Sequence, residues 1–298
     1  MKTTFVFNFD LNQAVKPYID TPKIRSYQLK QIFRRDYYFY VMTWLSEEIW
    51  LPPGIKWEEL EGEEFAQFHH LLFPFIFSIL FIGIRLLIVK FIFTPAAYRF
   101  DMKPLTLHPG KNSEREKLKV AINKKRLVRF NKFCETGWRW VLYLCAHLGG
   151  LFCLYDKPWV WNTAHCWHGY PYHPIDLKIW WYYMLELSLY WCLFFTQFSD
   201  LKRKDFWQML AHHVATLFLL MFSWTNHMHR MGSFVLFIHD FSDHWLELAK
   251  LAIYAKYETA CNVVFLVFTI TWLYTRLSIL PTVIIYSTVF EAAQGPAH

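Results

Sequence analysis

Ionisable side chains concentrate in two apolar runs between residues 212 and 254, and this feature constrains the fold more than any other. The first run opens with His212 and His213, and the second carries His239, Asp240, Asp243, Glu247 and Lys250. A charged side chain at the middle of a bilayer costs roughly 2.5 to 3.5 kcal/mol on insertion scales. These groups must therefore face a packed interior or a wet cavity, which makes the stretch a candidate functional site.

The composition predicts an all-α, polytopic membrane protein. Of the 298 residues, 55% are hydrophobic and 20% are aromatic, which is too apolar for a soluble domain of this size. The six cysteines form no CxxC motif and lie mostly in apolar runs, so no disulfide framework is expected. The net charge of +7 is concentrated in particular loops, so it indicates membrane orientation rather than a nucleic-acid partner.

About six transmembrane helices are predicted, because six apolar runs approach the roughly 20 residues that cross a bilayer. The runs are 71–93, 138–155, 180–198, 209–224, 232–254 and 261–280. Arg85 in the first run is interpreted as a snorkelling or bundle-facing residue. Glu186 in the third run is either a structural hydrogen-bonding group or part of the cavity.

The loop charges predict the orientation of the chain. Residues 94–137 hold eleven Lys or Arg against four Asp or Glu, and another short loop carries Lys202, Arg203 and Lys204. By the positive-inside rule both loops are cytoplasmic, which places the N-terminal segment 1–64 on the luminal side. Residues 113–132 fit either an interfacial amphipathic helix or a solvated charged linker. The histidines of the loop after the second run match no standard zinc pattern and are interpreted as interface residues.

Helical spacing places the polar residues of the second run together. Residues three or four apart share a helix face, so His239, Asp243, Glu247 and Lys250 form one stripe. If the two runs form an antiparallel hairpin, counting back from the turn puts His213 level with Asp243. A histidine beside a carboxylate can act as a general base, as a nucleophile or as the orienting partner of either.

Three interpretations of this cluster compete. The first is an acyltransferase site that receives an acyl donor from the cytoplasm and a lipid acceptor from the bilayer. The second is an iron site, but that needs about eight histidines in HxxxH and HxxHH boxes, whereas this chain has HH and HxH, so no metal is predicted. The third is polar contact between helices of a lipid-binding or scaffolding protein, worth roughly 1 kcal/mol per contact.

The same residues carry a family resemblance. The motif elements are HHxxT, Ser223, Asn226, Arg230, Gly232, HDxxD and LExxK, closing on Tyr254. Together they resemble the longevity-assurance (Lag) motif of the ceramide synthases within a TLC domain. The segments WLPPGIKWEELEG, KFCETGWRW and DLKRKDF are also similar to that family, and the resemblance covers roughly residues 44–290 apart from the basic loop.

The resemblance implies a multi-pass enzyme of the endoplasmic reticulum that N-acylates sphinganine or a related sphingoid long-chain base with a fatty acyl-CoA. The catalytic candidates are His212, His213, His239, Asp240 and Asp243. The substrate-binding candidates are Lys202, Arg203, Lys204, Asn226, Arg230, Glu247 and Lys250. The basic triplet either meets CoA phosphates or anchors the loop, and Arg230 with Asn226 is expected to cap the luminal turn. Acyl-CoA is a co-substrate, and no cofactor is expected.

The predicted organisation departs from the family in two places. The first transmembrane helix spans 65–93, and the basic cytosolic linker 94–131 lacks a recognisable homeobox-like segment. Family members continue beyond the position of Tyr286, so the TLC domain at 132–290 is expected to lack its last helix, before a tail at 291–298. A homodimer or a heterodimer with another ceramide synthase is left open. The alternative function is a catalytically silent TLC protein that senses lipid or regulates a full-length synthase.

Overall fold

The computed structural model describes residues 51, 54–60, 62, 64–103 and 114–292, and this part of the chain is helical without a strand. The α-helices are α1 (Phe73–Ile88), α2 (Thr94–Arg99), α3 (Glu114–Leu154), α4 (Pro158–Trp161), α5 (Leu177–Ser199), α6 (Phe206–Thr225), α7 (His229–Tyr254) and α8 (Glu258–Trp272). Short 3-10 helices lie at Trp57–Leu60, Phe68–Leu72 and Thr163–Cys166, and π-helical segments at Val89–Phe93, Leu273–Ile285 and Ser287–Glu291. The prediction of an all-α fold is confirmed for these residues.

Three of the predicted domains extend beyond the described residues. Most of the predicted luminal segment 1–64, part of the linker 94–131 and most of the tail 291–298 lie outside them. The predicted domain boundaries therefore stay predictions. Residues from Glu58 onward belong to one compact unit, and every contact described below lies within it.

Three helical stretches are long and apolar enough to cross a membrane: Phe68–Arg99, Phe206–Thr225 and Glu258–Glu291. Their outer faces expose large apolar side chains such as Ile79, Leu219 and Leu266, which suits contact with lipid. The prediction of a multi-pass membrane protein is confirmed. Helices α3, α5 and α7 coincide with the other predicted spans but carry more polar and aromatic residues, and the count of six stays a prediction.

Helix α3 joins the basic segment to the second apolar run without a break. It runs for 41 residues, and no proline or glycine interrupts it before Gly137. Lys, Arg, Glu, Ala and Leu, which are good helix formers, dominate its first half. A charged segment that was expected to be either an amphipathic helix or a linker therefore continues into the second apolar run as one helix.

Helices α6 and α7 form the antiparallel hairpin that the sequence suggested. The Met228 N–H donates to the Ser223 carbonyl at 2.8 Å and the His227 N–H to the Trp224 carbonyl at 3.1 Å, which is the Schellman pattern. His227 adopts the required left-handed conformation, with φ of 58°. The turn sends α7 back along α6, and α7 packs mainly against α3 and α8.

Close packing in the helical core depends on one of two adjacent glycines in α3. An added Cβ at Gly150 would lie 2.8 Å from the Tyr182 Oη of α5 and 2.9 Å from the Phe237 Cδ2 of α7. The same atom at Gly149 would meet nothing within 4 Å. Gly150 therefore lets α3 approach α5 and α7 together, and these three helices carry much of the polar cluster.

Candidate active site

Helix α6 directs its two histidines to different sides, because neighbouring residues on a helix are about 100° apart. The ring centroids of His212 and His213 are 5.8 Å apart. His213 is buried against α5, where its Nδ1 lies 2.7 Å from Gln197 Oε1. His212 is exposed and lies within electrostatic reach of Asp243 and His239 on α7. Counting back from the turn gave the depth of the pair but not the residue that each one faces.

The α7 stripe contains a histidine with a defined tautomer. His239 Nδ1 lies 2.7 Å from the carbonyl oxygen of Val235. A carbonyl only accepts hydrogen bonds, so Nδ1 is the donor and the lone pair of the neutral ring is on Nε2. One turn further on, the Ser242 hydroxyl donates to Asp243 Oδ1 at 3.1 Å. His239, Asp243 and His212 therefore form one polar group.

Arg276, in the π-helical segment Leu273–Ile285, closes this group. Its Nη2 lies 3.1 Å from Asp243 Oδ1 and 3.2 Å from the His239 carbonyl oxygen. Arg276 was not among the predicted site residues. Its signal is nevertheless visible, because it is a lone arginine inside the apolar run WLYTRLSIL, and charged residues in membrane spans are candidates for function.

Asp240 is fully buried on α7. Its carboxyl group lies within electrostatic reach of Asp243 and Arg276. Glu186 of α5 is also buried and lies close enough to interact with it electrostatically. Glu186 therefore neighbours the polar cluster, and Asp240 belongs to the same electrostatic group as Asp243 and Arg276.

A chain of ion pairs connects α7 to three other parts of the fold. Glu247 pairs with Lys250 at 2.7 Å and with Arg139 of α3 at 3.3 Å. Arg139 also pairs with Asp200 at 3.7 Å, and Asp200 pairs in turn with Arg85 of α1. Arg85 therefore faces the helical bundle. Arg139 lies within an apolar run and, like Arg276, was not among the predicted site residues.

A cavity of about 110 Å³ opens beside this ion-pair chain. Its walls include His213, Gln197, Arg139, Tyr143, Arg203 and Lys250. Arg203 lies 3.9 Å from Glu135, whereas Lys202 and Lys204 are exposed in the loop before α6. The cavity is therefore bordered by one of the paired histidines and by several cations.

Asn226 and Arg230 lie at the opposite end of the hairpin. Asn226 lies thirteen positions after His213, or about 20 Å along a helix. The Asn226 side chain donates to the Phe222 carbonyl at 2.9 Å, while Arg230 donates to the carbonyls of His165 and His168 at 3.0 and 3.3 Å. Arg230 thus anchors the loop before α5, and the two residues are not brought together with the histidines.

Buried histidines surround this anchored loop. His173 and His227 are each 1% exposed, and burial lowers the pKa of both to about 4. The desolvated imidazoles therefore remain neutral near pH 7. Among the described residues, no group of three or more His, Cys, Asp or Glu side chains has the arrangement of a metal site. The expectation that no metal is needed stays a prediction.

These features define a class of protein, an all-helical membrane protein with a polar site between its helices. A family model described as the TLC domain matches residues 132–298. Ceramide synthase 5 of Homo sapiens is 38% identical to the chain, in an alignment that covers 84% of this chain and 73% of that protein. Ceramide synthase 3 of Mus musculus is 35% identical, covering 82% and 73% of the two chains. For ceramide synthase hyl-1 of Caenorhabditis elegans the identity is 36%, with coverage of 83% and 66%.

The chain therefore belongs to the ceramide synthase family of TLC-domain proteins.

Proposed function

We propose that the chain is a ceramide synthase of the endoplasmic reticulum membrane. It transfers a fatty acyl group from acyl-CoA to the amine of sphinganine or a related long-chain base. Family membership supports this proposal, and the paired histidines of α6 carry it: His212 faces Asp243 and His239, while His213 borders a cavity with several cations. The reaction uses no metal and no resident cofactor.

In the proposed mechanism the two histidines divide the work. One imidazole nitrogen attacks the thioester carbonyl, the C–S bond breaks, and CoA leaves as a thiolate, so the acyl-imidazolium keeps its own N–H proton. The amine then attacks the acyl-imidazolium, the bond from the acyl carbon to the imidazole nitrogen breaks, the ring leaves as neutral imidazole, and the amide forms. The other histidine takes the proton that the amine loses and returns it to the CoA thiolate or to solvent. Asp243 and His239 stabilise charge that develops at His212, and the buried Asp240 acts on the same group through its electrostatic interaction with Asp243.

Cations at the loop before α6 suit the donor substrate. Lys202 and Lys204 are exposed on the side where CoA phosphates would approach, and the Lys202 ammonium lies over the Phe206 ring at 5.7 Å, while Arg203 and Lys250 border the cavity. Glu247 holds Lys250 in place through their ion pair. Asn226 and Arg230 lie too far away for the same role, so any contact they make with substrate is at the far end of a long chain.

N-acylation of a labelled long-chain base tests the proposal directly. Microsomes that contain the full chain receive acyl-CoA and labelled sphinganine, and ceramide formation is compared with the His212→Ala, His213→Ala double variant. We expect formation by the parent chain and loss in the double variant. His168→Ala, which removes an exposed imidazole but keeps the carbonyl bound by Arg230, is the matched control. A correctly inserted parent chain without activity would refute the proposal and favour a lipid-sensing or regulatory role.

The covalent step has its own test. Purified protein is given acyl-CoA without a long-chain base, and its mass is measured together with the CoA released. We expect an acyl adduct on His212 or His213 and about one CoA per protein, since a single histidine carries the acyl group. If neither adduct nor CoA release occurs before the base is added, the amine attacks the thioester directly.

A further inference from the structure

Gln197, near the end of α5, makes two hydrogen bonds that fix the orientation of its side-chain amide. Its Nε2 donates to the Phe206 carbonyl oxygen at 2.8 Å, and its Oε1 lies 2.7 Å from His213 Nδ1. The flipped amide would place two oxygens against each other at the Phe206 carbonyl, which only accepts hydrogen bonds. The amide nitrogen must therefore face Phe206 and the amide oxygen must face His213.

This orientation determines which nitrogen of His213 carries the proton. An amide oxygen only accepts, so the Nδ1 of His213 must donate to it, and the lone pair of the neutral ring is left on Nε2. We infer that Gln197 is the positioning residue that holds His213 as the Nδ1–H tautomer, in a ring that borders the cavity. The catalytic consequence rests on the proposed function, whereas the tautomer itself does not.

The tautomer matters because the proposed chemistry uses the imidazole lone pair. Whether His213 attacks the thioester or takes the amine proton, the reacting nitrogen must be the unprotonated one. Without an acceptor at Nδ1, the ring distributes between two tautomers and two orientations. Part of the population then presents an N–H where a lone pair is needed, which lowers kcat more than it changes KM.

Two substitutions separate this role from a simple contact between α5 and α6. Gln197→Met removes both hydrogen bonds, whereas Gln197→Glu loses the donor to Phe206 but keeps an acceptor for His213. We expect Gln197→Met to lower kcat about 10- to 100-fold with little change in the KM for acyl-CoA, because tautomer errors act on the chemical step. Gln197→Glu should recover most of the lost kcat. If the Phe206 contact alone mattered, both variants would be equally impaired, and the inference would be wrong.

Nitrogen-15 NMR of histidine-labelled protein in nanodiscs reads the tautomer without relying on activity. The His213 signals are identified by their loss in His213→Ala. We expect a protonated Nδ1 and an unprotonated Nε2 in the parent chain and in Gln197→Glu, and averaged signals in Gln197→Met. Gln208→Met, the same change at an exposed glutamine of α6, should leave both the signals and kcat unchanged.

The NMR signals and ceramide formation distinguish a failure of the tautomer assignment from a failure of the proposed function. An Nε2–H tautomer in the parent chain overturns the inference even if Gln197→Met does not fold. A parent chain that forms no ceramide but shows the Nδ1–H tautomer refutes the proposed function and leaves the positioning role of Gln197 intact.

Discussion

Arg276 is the residue on which the polar group around His212 most depends for charge balance. Replacing it by methionine leaves Asp243 without its guanidinium partner while keeping a long apolar side chain. Because the two side chains are 18% and 27% exposed, we expect a loss of about 1 to 3 kcal/mol in stability, less than for a fully buried pair. Thermal unfolding of the purified protein measures this loss.

A double-variant cycle assigns the loss to the pair. Arg276→Met combined with Asp243→Asn should cost less than the sum of the two single changes, with a coupling of at least about 0.5 kcal/mol. Arg99→Met, at an exposed arginine of α2, is the control and should change little. Additive effects would mean that Arg276 stabilises the chain through other contacts.

His173 and His227 predict that the folded state weakens in acid. The pKa of each falls from its ordinary value near 6.5 to about 4 in the folded chain, so the unfolded chain binds protons first as the pH drops. The free energy of unfolding therefore has its full contribution from these neutral histidines above about pH 6.5. It decreases as the pH falls towards 4, by up to about 3 kcal/mol for each histidine. Melting temperatures measured between pH 7 and pH 4 test this.

Neutral replacements identify these residues as the source of the acid sensitivity. His173→Gln and His227→Asn remove the proton uptake, and asparagine also tolerates the left-handed conformation at residue 227. Each variant should flatten the fall in melting temperature between pH 6.5 and pH 4. An unchanged pH profile in both would contradict the assignment.

At the residue scale, the sequence identifies groups that cannot face lipid but not the partners they find. The stripe on α7 followed from helical spacing, and the depth of the paired histidines followed from counting along a hairpin. Which side His212 and His213 face could not be derived, because this depends on how α6 is rotated against α5 and α7. Gln197 gives no sequence signal, since one glutamine near a helix end is ordinary.

At the scale of helices, Gly149 and Gly150 provide a matched pair of substitutions. Alanine at Gly150 would push against Tyr182 and Phe237, so we expect Gly150→Ala to cost about 1 to 3 kcal/mol of stability. Alanine at Gly149 meets open space and has the higher helix propensity, so Gly149→Ala should be neutral or stabilising. Thermal unfolding of the two variants in parallel measures the difference. Equal effects would mean that α3 does not approach α5 and α7 this closely.

The positions of the helices were largely predictable. An apolar run long enough to cross a membrane has few alternatives to a helix. A helix lies at each of the six predicted runs, although three carry enough polar and aromatic residues that their crossing of the membrane stays a prediction. The continuity of α3 was less visible. The change from charged to apolar composition suggested a boundary near residue 131, whereas helix propensity on both sides favours a single helix.

At the scale of the whole molecule, the charge distribution predicts which loops share a side of the membrane. We expect a cysteine at Lys124, exposed on the basic part of α3, to react with an impermeant maleimide in sealed microsomes. A cysteine at His168, in the loop held by Arg230, should react only after the vesicles are permeabilised. The parent chain with its six free cysteines gives the background. Labelling of both sites in sealed vesicles would contradict the predicted orientation.

The contact of Arg276 with Asp243 and His239 also has a consequence for biosynthesis. A chain leaves the ribosome from its N-terminus, so Asp243 reaches the membrane before Arg276, the residue that balances its charge, has left the ribosome. During that interval the hairpin of α6 and α7 holds an acidic group that lacks its guanidinium in an apolar environment. A chain arrested after α7 has emerged but before Arg276 has emerged should therefore hold this hairpin less stably than the complete chain.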